Sequence, residues 1–260
     1  MIKFSVLIAT RMRIEYLKNL LESIYQTTRF KDEIEVLVAY DDNDVQTSQF
    51  ITTYNPPKNY DANELNVSFL KRPRSINING DYYNWMANHF SKGEYIIVCN
   101  DDAVFVAGNW DETAWNKLEA FKKAFPDGIV LGITEDQDHV PYRDDYNRFT
   151  CFPLFSRKDL EVLGFLFQPE YWRDGADWVI AAVYRRIERI LDLRREIAIK
   201  HISVRSRRRE RDELYDEYTR LCHECPSPPT ADVVTRDVNI LQHYIDYGEI
   251  LTADQVQWNK

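Results

Sequence analysis

Glycine is scarce in this sequence, with eight residues in 260. None follows the first apolar segment at residues 2–9, and neither G-x-G-x-x-G nor G-x-x-x-x-G-K-[ST] occurs. Those loops let a backbone approach phosphates closely, so their absence argues against a dinucleotide-binding Rossmann enzyme and a P-loop NTPase. Cysteine is equally sparse: Cys99, Cys151, Cys222 and Cys225. Four thiols in a chain of this length make no disulfide framework and fit a reduced compartment. Cys222-His223-Glu224-Cys225 is a lone C-x-x-C without the second pair that structural zinc needs, so its cysteines read as free thiols.

Long apolar runs are missing too. Tyr95-Ile96-Ile97-Val98-Cys99 falls far below the roughly 20 residues of a membrane helix. The opening Phe4-Ser5-Val6-Leu7-Ile8-Ala9 is too short for a signal-peptide core and has no small-residue cleavage site after it, so a cytoplasmic location is expected. Basic residues are outnumbered, 33 against 42 acidic, for a net charge of -9. That balance argues against nonspecific nucleic-acid binding as the main activity.

What is present is enough for a core: 44% hydrophobic and 29% charged residues over a length that fits one α/β domain with a small appendage. Apolar, β-branched runs predict strands at 2–9, 34–40, 67–70 and 95–99. Between them, helical periodicity predicts helices at 14–27, 45–54 and 81–90, with Leu17, Leu20, Leu21 and Ile24 on one face of the first. This alternation predicts a mostly parallel sheet with helices on both faces. The second half is less regular. Strands are expected at 129–133, 151–156 and 197–204, a short helix at 158–163, a long one at 177–193, and a last one at 231–247. The expected division is a catalytic domain over residues 1–204 and a helical C-terminal extension over 205–260.

In open parallel sheets, ligands bind beyond the carboxyl ends of the strands. Two of the four N-terminal strands end there in acidic clusters, Asp41-Asp42-Asn43-Asp44 and Asn100-Asp101-Asp102. Either cluster alone reads as a helix cap or turn. Two at one edge point to a site, because crowded carboxylates need a divalent metal or a ligand to offset their repulsion and desolvation. A hard cation with oxygen ligands suits Asp102 best.

At this point the motifs resemble a family. Ser5-Val6-Leu7-Ile8-Ala9-Thr10-Arg11-Met12-Arg13 resembles the opening of GT-A glycosyltransferases related to family 2, in which a strand leads into P-T-Y-N-R; Ala9 replaces the proline. Val38-Ala39-Tyr40-Asp41-Asp42-Asn43-Asp44 is similar to the family's V-D-D-G-S-T-D. The stretch from Gly93-Glu94-Tyr95-Ile96 to Asn100-Asp101-Asp102 is similar to its G-E-Y-I-x-x-L-D-D-D. The resemblance spans roughly residues 3–204. It implies an α/β GT-A fold, a Rossmann-like nucleotide-diphospho-sugar transferase. It further implies transfer of a hexose or pentose from a nucleotide diphosphate-sugar to a saccharide or other hydroxyl acceptor. Thr10, Arg13, Asp41, Asp42 and Asp101 would line the nucleotide pocket, with Asp41 accepting from the base. Asp102 with Asn100 or Asp101 would form a DXD-like element for Mn²⁺ or Mg²⁺, Asn100 standing where aspartate is usual. A metal bridging the leaving diphosphate stabilises its growing charge.

Two later features extend the resemblance. Asp174-Gly175-Ala176-Asp177-Trp178 resembles the E-D-x-x-x-x-x-R region where inverting members keep their general base, with Arg185 or Arg186 as the downstream arginine. Asp177 or Asp174 would deprotonate the acceptor hydroxyl and give inversion; the plain alternative is a first-turn helix carboxylate. His201, after that helix, falls where many members place a third metal ligand, although a lone strand histidine is commonly a packed core residue. The basic run Arg205-Ser206-Arg207-Arg208-Arg209-Glu210-Arg211 reads as a solvated helix face, a segment closing over the diphosphate, or a contact to DNA phosphates. Three rivals follow: a transferase acting on hydroxymethylated bases of phage DNA, a non-catalytic nucleotide-sugar or glycan binder of the same fold, and a nucleotidyltransferase. The last is disfavoured because Thr10-Arg11-Met12-Arg13 lacks a glycine-rich loop.

Overall fold

A computed structural model describes residues 1–54, 65–136, 151–172, 175–202, 204, 210–213, 216–217, 220, 230–252 and 255–256. The chain opens with β1 (Phe4–Thr10), whose apolar side chains are buried on both faces, as expected of an interior parallel strand. Helix α1 (Ile14–Thr27) returns along one face with Leu17, Leu20, Leu21 and Ile24 buried. Then come β2 (Ile34–Asp41), α2 (Val45–Thr53) and β3 (Asn66–Arg72). A wide helical turn, Asn79–Asn84, runs into the short α3 (Trp85–His89) and on to β4 (Tyr95–Asn100).

The order β3-β2-β1-β4 is parallel throughout. The chain moves outward from β1 to β2 and β3, then crosses back to place β4 on the other flank of β1. The topological switch therefore lies between β1 and β4, where open sheets of this kind form their ligand crevice. Beyond β4 the sheet turns mixed. β8 (Leu154–Ser156) pairs antiparallel with both β4 and β6 (Leu131–Ile133), and β9 (Ile190–Asp192) adds to β6 in parallel. A second, three-stranded sheet joins β5 (Ala103–Phe105), β10 (Ala198–His201) and β7 (Glu135–Asp136). Helices α4 (Trp110–Ala124), α5 (Arg157–Leu163), α6 (Ala176–Arg186) and α7 (Thr230–Tyr247) complete the described architecture.

Alternation along the strands sends the core to two sides. Phe4, Val6 and Ile8 pack with α1 and with Trp110, Ala114 and Leu118 of α4. Leu7 of β1 and Ile96 and Val98 of β4 pack on the other side with Val179, Ile180 and Val183 of α6. Val233, Val234 and Leu241 of α7 belong to that same apolar cluster. A buried polar contact accompanies them, with Gln168 Nε2 donating to Asp237 Oδ2 at 2.9 Å.

The structure departs from the sequence expectation in the second half. The helix expected over 177–193 stops at Arg186, Glu188 adopts a left-handed φ of 56°, and residues 190–192 become β9. Pairing with β6 and the ion pair of Arg189 with Asp127 at 3.0 Å outweigh the helical pattern there. Helix α4 has no counterpart among the expected elements. Residues 136–149, polar and aromatic in sequence and expected as a loop, lie almost wholly outside the described residues, as do Arg205 to Arg209, Cys222 and Cys225.

Candidate active site

The carboxyl ends of β1, β2, β3 and β4 bring two polar clusters to one edge. The first spans the β1–β4 crevice. Thr10 and Asp101 are both buried, and Thr10 Oγ1 donates to Asp101 Oδ2 at 3.0 Å. Arg13, just past β1, places Nη1 3.4 Å from Asp101 Oδ1. Burial lowers the Arg13 pKa, but the charges of Asp101, Asp212 and Asp102 outweigh it and leave the guanidinium above its ordinary value.

The second sheet delivers the neighbour of Asp101. Antiparallel pairing sets His201 opposite Ala103, and the Ile202 N–H donates to the Asp102 carbonyl at 2.8 Å. This register brings His201 Nε2 to 3.2 Å from Asp102 Oδ1. Asp102 is buried and His201 nearly so. The pair offers one carboxylate and one imidazole, a donor set that Mn²⁺ accepts. Among the described residues, no group of three His, Cys, Asp or Glu side chains gathers about one point. Two protein ligands suffice for a hard cation whose remaining positions are filled by water and substrate phosphates.

The second cluster surrounds Asp41 at the end of β2. Arg11 Nη1 donates to Asp41 Oδ2 at 2.6 Å and to Asn43 Oδ1 at 2.7 Å. The Tyr82 hydroxyl donates to Asp41 Oδ1. Burial first, then this hydrogen bond, raises the Tyr82 pKa, which keeps the hydroxyl a donor at physiological pH. Arg72, at the end of β3, stacks over the Tyr82 ring with its guanidinium carbon 4.6 Å from the centroid. The Tyr83 hydroxyl lies 3.1 Å from the Cys99 carbonyl and 3.2 Å from Asn100 Oδ1, and burial pushes its pKa up as well. Asn100 thus presents its amide oxygen to a tyrosine.

Between the two clusters, Met12 takes φ of 54°, a left-handed conformation that side chains other than glycine's rarely adopt. Its N–H donates to Asp44 Oδ2 at 2.7 Å, which helps hold that conformation. The consequence is that Arg11 turns to Asp41 while Arg13 turns to Asp101. Strained backbone of this sort clusters at functional sites.

Of the residues expected at the site, Thr10, Arg13 and Asp101 form one contact set, and Asp102 and His201 another. Asp41 sits in the second cluster. Asp42 is exposed at the turn and uses its N–H to continue the pairing with the Arg72 carbonyl at 2.7 Å. Asp44 is the cap of α2, accepting from the Thr47 N–H at 3.0 Å. Asp177 is half-buried in the first turn of α6. Five residues before this helix, the Tyr171 carbonyl accepts from Asn79 Nδ2 of the 79–84 turn at 2.6 Å. Asp174 lies outside the described residues. Trp172 and Trp178, on either side of Gly175, are partly exposed. Sequence reasoning missed Arg11, Tyr82 and Tyr83. The tyrosine rings are buried, and only their hydroxyls reach the site.

No family model and no curated protein sequence matches the chain. Solved structures do match it. TarS residues 1–349 from S. aureus, in complex with UDP, superposes with a TM-score of 0.58 at 17% identity, covering 95% of this chain and 72% of that one. The mannosyltransferase PcManGT from Pyrobaculum calidifontis, in complex with GDP-Man and Mn²⁺, gives 0.57 at 15% identity over 95% and 76%. GalNAc-T7 with UDP, GalNAc and Mn²⁺ gives 0.55 at 13% identity over 94% and 50%. The fold is GT-A. The β1–β4 crevice is therefore the switch point of a GT-A sheet. Among the described residues, no helix is long and apolar enough to cross a membrane.

Proposed function

We propose that this GT-A protein is a metal-dependent glycosyltransferase that moves a sugar from a nucleotide diphosphate-sugar to a hydroxyl acceptor with inversion. The observation that carries the reading is the Asp102–His201 pair, 3.2 Å apart at the switch point and flanked by the Thr10–Asp101–Arg13 set. The net charge of -9 repels an anionic donor at long range, so the site needs local positive charge. Arg13 supplies part of it. A cation held by Asp102 and His201 would supply the rest, neutralising the charge that grows on the leaving diphosphate.

The base end of the nucleotide is assigned to the Asp41 cluster. Asp41 has lone pairs to spare beyond those used by Arg11 and Tyr82, and can accept from a base N–H. Arg11 and Tyr82 hold its carboxylate in one orientation. The acceptor side is assigned to the start of α6. There the acceptor oxygen attacks the anomeric carbon as the bond to the diphosphate oxygen breaks. The leaving diphosphate takes the electron pair, and Asp177 takes the hydroxyl proton. Trp172 and Trp178 offer flat faces for a sugar ring. PcManGT bound to GDP-Man and Mn²⁺ and TarS bound to UDP support the donor class by analogy of fold.

The test is a thermal-shift panel of UDP, GDP and their sugar conjugates with and without Mn²⁺. One nucleotide is expected to raise the melting temperature by mass action, and only with metal. Asp102→Ala is expected to lose that shift and at least about a thousandfold of transfer activity, since metal stabilisation is worth several kcal/mol. If no nucleotide shifts the wild type, the reading fails. If nucleotide binds but no donor is ever turned over or hydrolysed, the protein is the non-catalytic binder.

A further inference from the structure

Two arginines at the carboxyl edge are held by carboxylates from one short, distant stretch of chain. Arg13 Nη2 lies 3.1 Å from Asp212 Oδ2, and its Nε lies 3.3 Å from the same oxygen. Arg74, two residues past β3, pairs with Glu217. Both acids come from the described parts of residues 210–217, and their partners are 199 and 143 residues away in sequence. These pairs differ in kind from the Asp101–Arg13 contact beneath them. Asp101 is buried and anchored by Thr10, whereas the side chains of Asp212 and Glu217 are 38% and 36% exposed.

A carboxylate and a phosphate present the same pair of acceptor oxygens to a guanidinium, so they compete for it. Exposed ion pairs are weak individually and displaceable. The chain is acidic overall, yet it directs two acids of one segment onto arginines at the edge where an anionic ligand would bind.

Resting on the donor-binding reading above, we infer that Asp212 occupies Arg13 in place of the donor's diphosphate, while Glu217 on Arg74 helps hold the same stretch of chain at this edge. Nucleotide binding then displaces residues 210–213 and 216–217 from this edge, and the free protein holds its own donor affinity down. Two weak pairs leave the binding-competent state a minority, which lowers apparent affinity by about three- to tenfold.

Isothermal titration of UDP and GDP in Mn²⁺ tests this on the full chain. The forms compared are the wild type, the double variant Asp212→Asn with Glu217→Gln, and the control Glu94→Gln. Glu94 pairs with Lys122 at 2.5 Å, near the start of β4 and far from the carboxyl edge. The double variant is expected to bind nucleotide three- to tenfold more tightly, with the control unchanged. In the wild type, added nucleotide is expected to speed amide hydrogen exchange at residues 210–213, and this arm decides the question even if the variant folds poorly. Unchanged or weaker binding by a folded double variant, or slower exchange at 210–213, overturns the inference and makes the segment inert or a clamp, while the donor reading stands. If no form binds either nucleotide, the donor reading fails and this inference falls with it.

Discussion

Glu35, near the start of β2, and Asp41, at its end, are both buried carboxylates on one strand, yet they are satisfied differently. Glu35 Oε1 accepts from Ser5 Oγ at 2.6 Å and from the Lys92 N–H, and Ser5 Oγ in turn accepts from the Gly93 N–H at 2.8 Å. Arg157 Nε donates to the Gly93 carbonyl at 3.0 Å. Ser5 belongs to β1, Lys92 and Gly93 to the turn before β4, and Arg157 to the first turn of α5. Asp41 is met instead by Arg11 and Tyr82, and Arg11 sits on a loop bent by the strained Met12. The amino edge is closed around the Glu35 charge with one short hydroxyl and one backbone N–H. The carboxyl edge meets its charges with long side chains that have reach and alternatives. The same residue types thus give stability at one end of a strand and a candidate site at the other.

Breaking the closed end should have the largest effect on folding. A Cβ at Gly93 would lie 2.4 Å from the Ser5 nitrogen and 2.6 Å from the Phe4 carbonyl carbon, both backbone atoms that cannot swing away. Gly93→Ala is expected to cost about 3 kcal/mol, a fall of roughly 10 °C in melting temperature. Calorimetry checks it, and a fall under 2 °C would mean that the amino edge is not closed as described.

Next in size is a pH effect at the same end. Asp159 is fully buried, and burial pushes its pKa up to about 7 against the hydrogen bonds from Ser156. The folded state then holds a proton that the unfolded chain releases near pH 4, so stability falls as pH rises from about 4 to 7. Asp159→Asn is expected to remove that fall, worth a few kcal/mol, while its amide oxygen keeps the Ser156 contacts. Urea titrations of both proteins at pH 5 and pH 8 measure the difference; parallel pH trends would contradict it.

The smallest effect sharpens the comparison from the open end. Tyr82→Phe removes one donor to Asp41 and leaves Arg11 in place. Nucleotide affinity is expected to weaken about fivefold, equivalent to the loss of one modest hydrogen bond, with a smaller change in melting temperature than Gly93→Ala produces. A drop in stability without a change in affinity would move Tyr82 back to the core.

Much of this architecture was legible in the sequence because the relevant signals are local. Strands β1 to β4 are apolar runs with abrupt polar stops, and α1 has both its ends where the periodicity puts them. The acidic stops placed Asp41, Asp101 and Asp102 at one edge before any fold was known. The misses have a common cause. Residues 190–192 are a strand only because β6 offers an open flank, and nothing local announces that. Tyr82 and Tyr83 carry buried rings whose usefulness depends on where two hydroxyls end, which is a matter of tertiary placement. His201 was expected near the metal only through the family resemblance; the antiparallel register of β5 and β10 that brings it to Asp102 is again a non-local fact. Asp42, by contrast, looked equivalent to Asp41 in sequence, yet it lies one residue past the end of β2, in the exposed turn.

The wide turn at Asn79–Asn84 acts as a caliper. Tyr82 and Tyr83 are consecutive, so this wide i→i+5 turn sends their side chains in different directions. One jaw closes on Asp41 at the end of β2 and the other on Asn100 at the end of β4, with β1 between them. The spacing between the ends of β2 and β4 is therefore braced by a single helical turn. Inserting one residue there would rotate both jaws at once, and the four strand ends beneath would keep their places while losing their common measure.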